Sequence, residues 1–130
     1  MGDNLNEVDL GTDFVPVDMY LGNVHSCVVS MSSEIKCFGA AWSGQAGYEN
    51  TNSIGDANGE MGDDLQVVDL GTDFNVSTMS IGSVEWHSCA ADRNSNEKWK
   101  CWGYGQLAWF FVLPFFSEID NFYHFVSTQR

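Results

Sequence analysis

The chain is predicted to be all-β, with two antiparallel sheets of one repeating unit followed by a tail of different character. Three observations predict this. Residues 1–14, MGDNLNEVDLGTDF, return nearly unchanged as residues 61–74, MGDDLQVVDLGTDF, and each copy leads to HSC and then to KC, an aromatic and Gly. Apolar and polar residues alternate with period two between these landmarks, the pattern of a strand with one buried face. The 130 residues include 13 Gly and 14% aromatics, and the helix formers lack helical spacing, which suits short strands joined by turns. The organisation expected is a first repeat over 1–60, a second, truncated repeat over 61–107 and a non-repeat apolar tail over 108–130.

Residues 8–11, VDLG, read as a short edge strand closed by a Gly turn. Val17, Met19 and Leu21 then alternate with Asp18 and Tyr20, so this strand is expected to be half-buried and to stop at Gly22. A further strand covers 25–30, residues 31–33 turn the chain, and 34–38 return it. Setting Ser30 opposite Glu34 puts Val29 opposite Ile35 and Cys27 opposite Cys37. In the second copy, a turn at Asn94, Ser95 and Asn96 puts Ala91 opposite Trp99 and Cys89 opposite Cys101. Two hairpins of different length thus converge on the same cross-strand cysteine pair. The offset between copies is 60 residues as far as Gly22 and Gly82, 62 at His25 and His87, and 64 at Cys37 and Cys101. Insertions between matched strands are what a structural repeat tolerates.

Residues 40–60, AAWSGQAGYENTNSIGDANGE, form a long polar loop, and loops of such length are usually functional or mobile. In the tail, the apolar run from Leu107 to Phe116 is about half the ~20 residues needed to cross a bilayer. Pro114 interrupts it, and no basic face accompanies it, so a membrane is not the expected partner. Met1 is equivalent to Met61, inside the repeating pattern, and no basic-then-apolar leader follows it. The sequence therefore reads as a piece of something longer.

The pattern G-x-x-H-S-C, then C-F/W-G, then G-Q, an acidic Gly-rich loop and V-D-L-G resembles the regulator of chromosome condensation repeat family. The matching residues are Gly22, His25, Ser26, Cys27, Cys37, Phe38, Gly39, Gly44, Gln45 and Gly47. In the second copy they are Gly82, His87, Ser88, Cys89, Cys101, Trp102, Gly103, Gly105 and Gln106. The resemblance covers residues 1–107, with Phe38 standing where the family usually has Trp. It implies a seven-bladed β-propeller of four-stranded blades. Only two copies are present, whereas propellers close with ~4–8 blades. An incomplete ring is expected, its open sheet faces needing further blades or another copy.

The four cysteines are spaced C-x9-C and C-x11-C, unlike the short C-x2-C of zinc sites, so no metal is expected. Each pair is either a cross-strand disulfide, which would imply an oxidising or extracellular compartment, or two reduced core thiols. His25 and His87 recur before Ser, and a catalytic pair would not be duplicated in a repeat. They read as buried histidines bonded to backbone, alongside Gly22, Gly39, Gly82, Trp102 and Gly103 as turn and core residues. His124 has no nameable partner. Asp56, Asn58 and Glu60 have the alternate spacing of a calcium loop, but Met61 takes the place of the required Gly and Val67 that of the closing Glu; the loop reads as solvated. Asp9, Asp13, Asp69 and Asp73 are expected to bind backbone at turns. Asn75, Val76 and Ser77 form a glycosylation sequon, relevant only to a secreted chain.

The net charge of −13 with only five basic residues argues against nucleic acid, because phosphate contacts need Lys and Arg. No phosphate-binding loop or two-carboxylate site stands out, so no catalytic residue or cofactor is expected. The reading is a protein–protein interaction module, with Tyr48, Glu49, Asp56, Asn58 and Glu60 as the contact region for an unidentified protein partner. The alternative is a fragment without independent activity. Guanine nucleotide exchange and enzymatic activity are less favoured.

Overall fold

Two three-stranded antiparallel sheets carry the fold in the computed structural model, which describes residues 2–82, 86–94 and 98–104. The first sheet joins β1 (Pro16–Leu21), β2 (His25–Ser30) and β3 (Ile35–Gly39). The second joins β4 (Val76–Ile81), β5 (His87–Asp92) and β6 (Trp99–Gly103). In each, the middle strand in sequence is the middle strand in space. One turn of 3-10 helix opens each copy, at Gly2–Asn4 and at Gly62–Asp64, and no α-helix occurs among the described residues. Ser95 and Asn96 of the second hairpin turn, Gly105, Gln106, the 108–130 tail and His124 lie outside the described residues.

The hairpin registers are those the side-chain pattern demands. Val29 faces Ile35 and Cys27 faces Cys37 across β2 and β3. Ala91 faces Trp99 and Cys89 faces Cys101 across β5 and β6. A one-residue slip would turn every apolar side chain to the wrong face, so burial itself holds this register. The pairing of each first strand slips at the same place, between Pro16 and Asp18 and between Val76 and Thr78. The extra residue bends the strand and adds twist. Pro16 opens an edge strand, where its missing N–H removes no necessary ladder bond.

Three expectations are corrected. Residues 8–11 do not form a strand. Asp9 Oδ1 accepts the N–H of Gly11 at 3.0 Å, and Asp69 Oδ1 accepts that of Gly71 at 2.8 Å. The aspartate closes a local turn and competes with any ladder. Each sheet has three strands among the described residues, not the four that the resemblance implies. Beside β3 of the first sheet, Gly39 and Ile54 form an isolated bridge with N–H···O bonds of 2.8 and 2.9 Å, and Val68 N–H donates to Ile35 O at 2.8 Å. Finally, β1 alternates as expected but its apolar side is not covered: Val17, Met19 and Leu21 are all exposed.

That exposure follows from how the sheets stack. Cys27, Val29, Ile35 and Cys37, all on one face of the first sheet, meet Val76, Met79 and Ala90 of the second, with Ala41, Ala46 and Val68 filling in from loops. Met19 and Leu21 point to the other face of the first sheet, because β-strand side chains alternate. Their counterparts Met79 and Ile81 point into the seam. Met19 is 55% exposed and Met79 only 5%. The cysteines show the inverse, since Cys27 and Cys37 are fully buried in the seam while Cys89 and Cys101 are half-buried on the far face of the second sheet.

Candidate functional site

The repeat's landmark residues converge on the seam, except for Cys89 and Cys101 on the far face of the second sheet. Cys27 is bonded to Cys37 and Cys89 to Cys101, with Cα–Cα separations of 4.1 and 4.0 Å. The disulfide is therefore the alternative the structure takes. His25, buried at the start of β2, places Nε2 2.7 Å from Ser88 Oγ across the seam, and Ser88 Oγ lies 3.1 Å from the carbonyl of Gln45. A carbonyl only accepts, so Ser88 spends its proton on Gln45 and must receive one from His25 Nε2. That assignment leaves Nδ1 of neutral His25 as a buried acceptor without a partner. Burial, and secondarily the nearby His87, lowers the His25 pKa to about 4. The histidine donates and the serine is already committed, so the pair has the polarity opposite to that of a nucleophile and its base. The expected bond from His25 to backbone is replaced by this bond to a side chain of the other copy. His87 is half-buried.

The glycines and Trp102 shape the same seam. Gly39 and Gly103 sit at φ +108° and +107°, in the left-handed region open to Gly. A Cβ on Gly39 would lie 2.7 Å from the carbonyl oxygen of Val24, and one on Gly22 would lie 2.6 Å from Ile81 Cγ2. Gly22 N–H and Gly82 N–H donate to the carbonyls of His25 and His87 at 2.9 and 3.3 Å. Trp102 packs on the core and donates its indole N–H to the Gln45 carbonyl at 2.9 Å.

The 40–60 loop borders an open cleft of about 490 Å³, whose acidic lining residues are Glu49, Glu60, Asp64 and Asp69. Of the five residues singled out here, Glu49, Asp56 and Asn58 are exposed, whereas Tyr48 and Glu60 are half-buried and tie the loop down. Tyr48 Oη accepts the N–H of Cys37 at 2.9 Å and lies 2.8 Å from the carbonyl of Gln66. Burial raises its pKa to about 12, against the opposing effect of the Cys37 bond. One oxygen of Glu60 accepts the N–H groups of Gly55, Asp56 and Ala57 at 2.9, 3.1 and 3.0 Å. These bonds, that from Ala57 foremost, hold its carboxyl below the usual range. The alternate acidic spacing at 56–60 thus closes a turn on itself. Among the described residues no group of three or more His, Cys, Asp or Glu could hold a metal ion, and no helix is long and apolar enough to cross a membrane.

Sequence reasoning missed three features. Lys36 and Lys100, one residue before the second cysteine of each copy, each donate to a Leu carbonyl and lie over a Phe ring. Lys36 Nζ is 2.7 Å from Leu10 O and 5.3 Å from the Phe14 centroid. Lys100 bonds Leu70 O and lies 5.0 Å from the Phe74 centroid. Their identical place in both copies was the available signal. The second feature is a clasp: Asp63 accepts the Thr12 N–H at 2.7 Å and its hydroxyl, Gly62 N–H donates to Asp9 O at 3.0 Å, and Lys36 Nζ reaches Gly62 O at 3.3 Å. The Thr12 bonds, with Lys36 contributing less, hold the Asp63 carboxyl below its usual range. The third is an exposed aromatic cluster, with Trp86 edge-on to Trp42 at 5.7 Å and to Tyr104 at 6.0 Å. Nothing in the spacing of these three residues announces it.

No protein-family model matches the chain, and no curated protein matches it. Solved structures do. Human WBSCR16 superposes with a TM-score of 0.54 at 22% identity, covering 76% of this chain and 23% of that protein. Yeast RCC1 (Prp20), in a crystal structure with Kap60, gives 0.53 at 19% identity, covering 76% and 22%. Prp20p from Saccharomyces cerevisiae, in a study that also concerns its binding to Gsp1p and histones, gives 0.53 at 19%, covering 75% and 22%. The chain spans less than a quarter of the length of each. The stacked sheets, the paired hairpin registers and these superpositions agree: the chain has the fold of two blades of an RCC1-like β-propeller.

Proposed function

We propose that this chain is a protein–protein interaction module that grips a basic segment of its partner in the cleft beside the 48–60 loop. The observation that carries the reading is the cleft's composition. Glu49, Glu60, Asp64 and Asp69 line it, and the chain's net charge is −13. Concentrated like charge in a concave site attracts and orients the opposite charge. The loop is also held for the task, because Tyr48, Glu60 and the Ile54 bridge anchor it at three places. An anchored loop loses less freedom on binding than a floppy one. One solved relative in fold supports a protein partner in general: yeast Prp20 is bound to Kap60 in one structure and described with Gsp1p and histones in the other. Catalysis is not part of the reading, since the His25–Ser88 pair has its proton committed elsewhere. Exchange activity would rest on fold analogy alone.

The test is a peptide array of Lys/Arg-rich and neutral segments probed with the intact chain. Binding confined to basic peptides, weakened by salt and abolished by combined Glu49→Gln, Asp64→Asn and Asp69→Asn, is the expected result. Binding indifferent to those substitutions would refute it. Charge neutralisation is preferable to loop deletion, because deletion would also remove the Ile54 bridge and the Tyr48 anchor.

The uncovered Met19 face favours one second reading, that the chain has no activity until further blades complete it. An array that stays blank for the intact chain would support that reading.

A further inference from the structure

We infer that copies of this chain associate head to tail, the face of the first sheet on which Met19 and Leu21 are exposed in one copy seating on the far face of the second sheet of another. The seam inside the chain is the template. It joins a cysteine-bearing face, Cys27 and Cys37, to a face bearing Met79, Ile81 and Trp102. The chain's two ends repeat these halves. The second sheet ends in the Cys89–Cys101 face, and the first begins with Met19, Leu21 and Phe38, the counterparts of Met79, Ile81 and Trp102.

The clasp extends the match beyond apolar contact. Within the chain, the turn at 62–65 docks on the first blade through Asp63 and Thr12, and Leu65 is 3% exposed. The same turn forms at 2–5, where Leu5 N–H donates to Gly2 O at 2.9 Å as Leu65 N–H does to Gly62 O at 3.3 Å. Asp3 is exposed, and so is Leu5, at 69%. Its receptor is also duplicated. Asp69, Gly71 and Thr72 repeat the turn of Asp9, Gly11 and Thr12, and Lys100 is exposed where Lys36 is buried. Asp3 and Leu5 of one copy therefore fit Thr72 and Lys100 of another as Asp63 and Leu65 fit Thr12 and Lys36. Such an interface joins two different patches, so it propagates until it closes. Two to four chains would give about 4–8 blades, the range in which propellers close.

The surface shares Asp69 with the acidic cleft, but the variants that test it alter no cleft residue, so either proposal can fail without the other. The test is sedimentation of the full chain with its disulfides intact over a wide concentration range. Two variants block one end each, Leu5→Asp with Met19→Asp at the head and Thr72→Glu with Ser80→Glu at the tail, all at exposed positions. Circular dichroism and the count of oxidised cysteines verify that each variant is folded. The wild type is expected to gain mass at least twofold with concentration, and each variant to remain a single chain. An equimolar mixture is expected to recover a dimer, because one good head and one good tail remain. A wild type that stays monomeric, association that survives either variant, or a mixture that stays monomeric would overturn the inference. Association only after removal of residues 105–130 would assign the face to the chain's own C-terminus and overturn it too.

Discussion

Met19 and Met79 occupy the same position of the repeat and differ in what covers them, so truncating each in turn isolates the value of the seam. Met79 is 5% exposed and packs among Cys27, Val29 and Ile35. Met79→Ala removes a fully desolvated side chain and leaves a cavity, which costs about 2–5 kcal/mol. Met19 is 55% exposed, and Met19→Ala at dilute, monomeric concentration is expected to change stability by no more than about 0.5 kcal/mol. The gap of at least about 1.5 kcal/mol is a factor of roughly ten in the folded-to-unfolded ratio. Urea titration under oxidising conditions measures it as a shift of the midpoint at unchanged slope. Equal losses at the two positions, or a larger loss at Met19, would refute the stacking order of the two blades.

The disulfides should differ in access. Mild reductant followed by alkylation and mass spectrometry is expected to label Cys89 and Cys101 before Cys27 and Cys37, since access governs exchange and only the latter pair is fully buried. Replacing both Cys27 and Cys37 by Ala should cost roughly 3 kcal/mol, the loop-closure value for a separation of 10 residues. Acid should loosen the seam. The folded-state pKa of His25, about 4, lies below the ordinary value, so the unfolded chain binds the extra proton. This contribution to stability is complete above about pH 6.5 and is lost as pH falls towards about 4. After allowance for solvent screening it amounts to about 1–2 kcal/mol, and His25→Asn should flatten that part of the stability–pH curve. Lys36→Met should cost about 1.5–3 kcal/mol by stranding the Leu10 and Gly62 carbonyls, whereas Lys100→Met, at an exposed site, should cost less in the same titration.

What was legible in the sequence was whatever has a period. The 60-residue return set the two sheets, and the two-residue alternation set the hairpin registers through Cys27, Cys37, Cys89 and Cys101. Residues 8–11 misled because Asp followed two residues later by Gly satisfies the backbone locally, while the apolar Val8 and Leu10 still mimic a strand. The half-burial expected of Val17, Met19 and Leu21 failed for a different reason. Alternation says which residues share a face, but not whether another layer exists to cover it. The clasp between Thr12 and Asp63 spans 51 residues, and no local pattern reports a bond of that reach. The cleft was legible only as a long acidic loop. That Tyr48 and Glu60 would turn back on the loop, leaving Glu49 and Asp56 outward, depended on carbonyls and N–H groups whose positions the fold alone sets.

A repeat also constrains what the surface must look like. When two near-identical units stack through unlike faces, each unit must carry both halves of the contact, and the pair must end with one half of each kind uncovered. Changing sequence at an end would relieve that exposure, and the second copy shows where it has changed. Ala91 and Trp99 replace Val29 and Ile35 on the cysteine face, keeping it apolar. Ser80 replaces Tyr20, removing the hydroxyl that in the first copy lies 3.1 Å from Thr78 across the seam. At the other end, Asp3 and Leu5 are retained in full although the described structure gives them solvent to face. A terminal repeat that caps a stack would be expected to carry charge over Met19 and Leu21. The first copy instead keeps the apolar and clasp residues that the second copy uses in the seam, which is what the proposed association requires.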